Sequence, residues 1–124
     1  MSTISLTMDD FESTIRDNSM VIVDFWAAWC GPCRAFAPTF ERSSHAHADV
    51  VHAKVDTQAE PELSATVGIR SIPTVMAFKD GVLVYSKPGA MPPVVLDDLI
   101  QKVKALDMAD VRAKIAARKA TAAG

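Results

Sequence analysis

Apolar positions along the chain switch repeatedly between a two-residue and a three-to-four-residue period. Ile4-Ser5-Leu6-Thr7 alternates as a short strand does, and Met8 to Asp17 reads as a short helix with acids in its first turn. Met20-Val21-Ile22-Val23-Asp24-Phe25-Trp26 is an apolar run of strand length, rich in β-branched residues, as in a strand covered on both faces. From Gly31 to about His47, Ala35, Phe36, Thr39, Phe40 and Ser43 recur at helical spacing, with Pro38 expected to bend the helix. Val50 to Asp56 predicts the next strand. Pro61 to Val67 predicts a short helix opened by proline and stopped by Gly68. Thr74 to Lys79, the pair Asp80-Gly81, and Val82 to Tyr85 form the clearest hairpin signal. Pro92-Pro93 then opens a helix carrying Leu96, Leu99, Ile100 and Val103. The order β-α-β-α-β-α-β-β-α describes an α/β domain, a central mixed sheet with helices on both faces.

The last seventeen residues, 108–124, differ. Arg112, Lys114, Arg118 and Lys119 stand against one acid, Asp110, and Met108, Val111 and Ile115 share a helical face behind a candidate N-cap, Asp107. An extra C-terminal helix is expected, so the chain divides into a domain at 1–106 and a basic helical extension at 107–124. The segment carries +3, which leaves −5 for the remainder of a chain whose total is −2.

Composition narrows the class. With 124 residues, 49% hydrophobic and 23% charged, the chain has the mixture of one soluble domain. The charge of −2 argues against nucleic acid or an anionic membrane as the main partner. No apolar run approaches the roughly 18–20 residues of a membrane span. The opening MSTISLTMDDFE places acids where a signal peptide is positive, so a cytoplasmic protein is expected.

The chemistry gathers around two cysteines, Cys30 and Cys33, in Trp29-Cys30-Gly31-Pro32-Cys33. They enclose too short a loop to staple a domain, and two thiols alone cannot complete a tetrahedral zinc site. A redox pair remains. Cys30 falls at a predicted helix N-terminus, where unpaired N–H groups and the helix dipole favour a thiolate. Cys33 follows one turn later, within reach of it. Asp24 interrupts an apolar run, a costly place for a carboxylate unless it is paired or protonated. Pro73 opens an apolar strand, and base rates alone favour its trans form. His45 and His47 point to different helix faces with no third ligand nearby, so no metal site is expected.

The segments D-F-W-A-A-W-C-G-P-C (24–33), G-I-R-S-I-P-T (68–74), F-K-D-G (78–81) and G-A (89–90) resemble the thioredoxin family in order and spacing. The resemblance spans about residues 3 to 106 and implies the thioredoxin fold. It makes Cys30 the attacking thiolate, Cys33 the resolving thiol, Asp24 the buried carboxylate acting on the Cys33 proton, and Pro73 a cis proline facing the cysteines. Trp29, Gly31, Pro32, Ile72, Gly89 and Ala90, with Pro73, would form the surface that docks client proteins. Counting back from Asp56, the family's lysine near the carboxylate is expected at His52, with Lys54 farther along the strand. The S-I-P-T and PELSATVGIR segments look most like the second bacterial thioredoxin class, without that class's N-terminal zinc ribbon. The implied activity is that of a monomeric protein-disulfide reductase with no bound cofactor, supplied with electrons from NADPH by a separate flavoprotein, thioredoxin reductase. An exported thiol oxidant or isomerase, and a non-catalytic binding or holdase module, are the alternatives.

Overall fold

A computed structural model describes residues 2–123. In chain order the elements are β1 (Ile4–Ser5), α1 (Met8–Asp17), β2 (Met20–Trp26), α2 (Gly31–Ala46), β3 (Val51–Asp56), α3 (Pro61–Thr66), β4 (Thr74–Lys79), β5 (Val82–Pro88), α4 (Pro93–Lys104) and α5 (Met108–Ala123). One five-stranded sheet runs β1-β3-β2-β4-β5, with β1, β3 and β2 parallel and β4 and β5 antiparallel to their neighbours. This is the mixed sheet expected from the pattern. β1 is shorter than its alternation predicts, because Thr7 leaves the strand to open α1, its N–H donating to Asp10 Oδ1 at 2.6 Å. β5 runs three residues past Tyr85 and is irregular opposite Ala77 and Phe78.

Residue parity divides β2 between two cores. Val21, Val23 and Phe25 meet Phe11 and Ile15 of α1 and Leu63 of α3 on one face. Ile22 meets Phe36 and Phe40 of α2 and Leu96, Leu99, Ile100 and Val103 of α4 on the other. Covered on both sides, β2 is buried from Met20 through Phe25, which accounts for its continuous apolar run. Asp24 has the parity of Ile22, so its carboxyl lies on the α2 side of the sheet.

Two turns require unusual backbone. Asp80 and Gly81 both have positive φ, 50° and 78°, as a two-residue hairpin turn demands. Lys79 then donates to the carbonyls of Val103, Lys104 and Leu106 at 2.8–3.0 Å, closing the end of α4 with a charged donor. Asp107 caps α5, accepting from the N–H groups of Ala109 (3.0 Å) and Asp110 (3.3 Å). Met108 of α5 is buried, Val111 and Ile115 are half-buried, and Arg112 reaches Asp80 at 3.9 Å.

Candidate active site

Strand β2 ends at Trp26, and the chain turns through Ala27 to Cys30 before entering α2. Cys30 is the N-cap of α2, and its sulfur accepts the Cys33 N–H at 3.3 Å. Pro32 sits in the first turn, where its missing donor costs nothing. Cys30 and Cys33 are joined as a disulfide, with Cα atoms 5.2 Å apart. Both are buried, Cys30 less deeply, while Trp29 beside them is 65% exposed. The Cys30 sulfur lies 3.8 Å from the Ile72 carbonyl oxygen, and the Ile72–Pro73 peptide is cis. The trans default drawn from base rates is thereby overturned, and the form implied by the family resemblance is the one present. Gly89 donates its N–H to the Pro73 carbonyl at 2.7 Å, which brings the Gly89-Ala90 loop to the same place.

The residues singled out for docking therefore gather on one face. Gly31, Pro32, Gly89 and Ala90 are exposed, Ile72 is half-buried, and Pro73 is buried. Apart from the adjoining backbone, nothing lies within 4 Å of where a Cβ would stand on Gly31 or Gly89. Gly89 is nonetheless required by its own backbone, since φ is +110°.

Asp24 is fully buried, and neither carboxyl oxygen has a hydrogen-bond partner among the described residues. Burial pushes its pKa from 3.8 up to about 7, and the Lys54 ammonium works in the opposite direction. Counting from Asp56 misplaced that cation. In the β2–β3 register Asp24 pairs with Lys54, and His52 pairs with Ile22, two positions back. Lys54 stands over the Trp26 ring, 4.6 Å from its centroid, with part of its length exposed. His52 is buried; its Nε2 pairs with Ser43 Oγ and its Nδ1 with the Val50 carbonyl, both at 2.9 Å. Burial lowers its pKa, so it serves as a neutral core group. Lys54 is the residue that sequence reasoning underrated. The available signal was strand pairing, which a count along one strand does not contain.

His45 and His47 are separated as expected. His45 pairs with Glu41 on its own helix, and the buried His47 reaches Asp97 of α4 at 2.7 Å. Among the described residues no cluster of three histidine, cysteine or acidic side chains is arranged to hold a metal ion.

A cysteine pair joined at a helix entrance, beside a cis proline and following a strand that carries a buried carboxylate, defines a dithiol–disulfide exchange centre. The family model described as Thioredoxin matches residues 2–105, and the chain belongs to the thioredoxin family. A Streptomyces coelicolor protein named "Putative thioredoxin 2" is 46% identical over 121 residues, covering 98% of this chain and 90% of its own. The thioredoxin of Alicyclobacillus acidocaldarius is 46% identical over 92 residues, 73% of this chain and 88% of that one. Among solved structures, Plasmodium falciparum thioredoxin superposes with a TM-score of 0.74 at 38% identity, covering 81% of this chain and 97% of its own. The chain is a thioredoxin-type protein-disulfide reductase whose redox group is its own cysteine pair. Thioredoxin reductase and disulfide-bearing clients are the partners general to the family. No helix among the described residues is long and apolar enough to cross a membrane.

Proposed function

We propose that Cys30 is the attacking thiolate, Cys33 the resolving thiol and Asp24 the group that takes the Cys33 proton. In the reduced protein the Cys30 thiolate attacks one sulfur of a client disulfide. A bond forms between Cys30 and that sulfur, the client bond breaks, and the second client sulfur leaves as a thiolate that takes up a proton. Cys33 then passes its proton to the Asp24 carboxylate and attacks the Cys30 sulfur. The first client sulfur departs and is protonated, leaving a client dithiol and the Cys30–Cys33 disulfide. Two electrons pass from the protein to the client. The observation that carries this reading is the buried, unpartnered Asp24 on the sheet face covered by α2, the helix that starts at the cysteines. A carboxyl poised at about 7 both accepts and releases a proton at neutral pH.

Thiol activation alone contributes little. Thioredoxin itself is a known case of a C-x-x-C thiol lowered from about 8.5 to about 7. A fall of that size raises the thiolate fraction at neutral pH roughly 15-fold but cuts nucleophilicity about fivefold, a net gain of about threefold. The larger effect is positional: Cys33 meets the mixed disulfide as an intramolecular reactant, for which effective molarities reach on the order of 10⁵ M.

Trp29, Gly31, Pro32, Ile72, Pro73, Gly89 and Ala90 form the client-docking face in this reading. Residues 1–106 are the catalytic domain, and 107–124 an extension dispensable for the chemistry. The protein works as a cytoplasmic monomer recycled by NADPH through the separate flavoprotein reductase. The S-I-P-T and PELSATVGIR segments support membership of the second bacterial class, and among the described residues no cluster of histidine, cysteine or acidic side chains could hold a zinc ion.

The test is Cys33→Ser. The hydroxyl cannot attack a disulfide at neutral pH, so client mixed disulfides on Cys30 should accumulate on non-reducing gels, whereas Cys30→Ser should form none. Free release of clients by Cys33→Ser would exclude Cys33 as the resolving thiol.

A further inference from the structure

Helix α4 begins with Pro93-Val94-Val95, and the first turn of a surface helix is where acids are favoured. This one carries no acid; Val94 is 75% exposed and Val95 46%. A single exposed valine is ordinary. Val95, however, lines a small hollow of about 120 Å³ together with Tyr85 and residues 87–92, and Val94 precedes it on the helix. Gly89 is the residue hydrogen-bonded to Pro73, whose peptide partner Ile72 stands 3.8 Å from the Cys30 sulfur. The hollow, whose wall mixes the apolar Pro88, Met91, Pro92 and Val95 with the polar Lys87, is thus continuous, along the chain and through that hydrogen bond, with the face assigned to client docking.

We propose that Val95, supported by the exposed Val94 before it on the helix, is a specificity-determining contact that extends this face onto α4. The occupant is an extended client segment whose bulky apolar side chain fills the hollow beside Val95. Reach sets the spacing. A client cysteine bonded to Cys30 lies at Ile72–Pro73, three extended residues reach at most about 10 Å, and the hollow's wall begins beside Gly89, the residue hydrogen-bonded to Pro73. Clients with an apolar side chain about three residues from the reacting cysteine are therefore preferred over clients with a polar one there. Affinity comes from burial of apolar surface that neither partner covers alone. The proposal rests on the docking role given above to Trp29 and the Pro73–Gly89 pair.

Two peptide disulfides separate the possibilities, one with Leu at the third residue on each side of its cysteine and one with Ser at those places. The native protein should reduce the Leu peptide with a kcat/KM higher by about fourfold or more, the effect of burying roughly one methylene. Val94→Thr with Val95→Thr keeps the β-branched shape at exposed positions and should bring that ratio close to one, mainly through KM for the Leu peptide. Trp29→Ala should slow both peptides and leave the ratio in place. An unchanged ratio in the double threonine variant, with Trp29→Ala still slowing both, would overturn the α4 contact alone. If Trp29→Ala slows neither peptide, the docking face itself is wrong and the proposal falls with it.

Discussion

Replacing Asp24 by Asn or Ala should make the stability of this protein less dependent on pH, by an amount that follows from its burial. The carboxyl titrates at about 7 in the folded chain against an ordinary value of 3.8. Below pH 3.8 it is protonated in both states and has no effect on the balance. Between the two values the folded state holds a proton that the unfolded state has released, so stability falls as pH rises. Above about 7 the folded protein must bury the charge, and the loss is complete. A separation of about 3 pH units, at about 1.4 kcal/mol each, is worth about 4 kcal/mol. Urea melts of the oxidised native and variant proteins from pH 4 to pH 9 measure it. Asn brings an amide into a site without partners, and Ala leaves a small cavity, but both costs are nearly constant with pH. The readout is the change in the stability difference, which should grow by about 4 kcal/mol in favour of the variants between pH 4 and pH 8. Turnover should move the other way, falling by about tenfold or more at pH 7 because Cys33 loses its proton acceptor. A variant more stable at neutral pH and slower marks a residue kept for function against stability. A stability difference that does not vary with pH would refute the titration, and unchanged turnover would refute the catalytic role.

Two further outcomes test the rest of the framework. Deleting residues 108–124 removes the buried Met108 and the Arg112–Asp80 pair, so it should lower stability by about 1–2 kcal/mol. Insulin reduction by the shortened protein should stay within about twofold of native, as expected for a terminal element outside the catalytic domain; a large loss with the fold intact would place α5 in the site. Lys79→Met leaves the carbonyls of Val103, Lys104 and Leu106 without their charged donor, which should cost about 2–3 kcal/mol in a denaturant melt. That loss should come with no change in peptide reduction.

Much of this molecule is written locally. The period-two and helical patterns place each strand and helix to within a few residues, because each element has to bury its own apolar positions whatever its neighbours are. The Asp80-Gly81 turn, the Asp107 cap and the Cys30 N-cap are equally local, since each needs only backbone geometry and a nearby donor or acceptor. The isolated carboxyl in β2 is likewise visible as an anomaly in an apolar run. What stands beside that carboxyl was not. Lys54 rather than His52 pairs with Asp24 because parallel register is set by how β2 and β3 dock, and a one-step change of pairing by two residues leaves the face pattern of either strand unchanged. The cis peptide at Pro73 and the meeting of Gly89 with Pro73 likewise depend on segments distant along the chain. Short-range patterning determines which residues face the core; only the packed sheet decides which of them meet, because those contacts join segments that no local period relates.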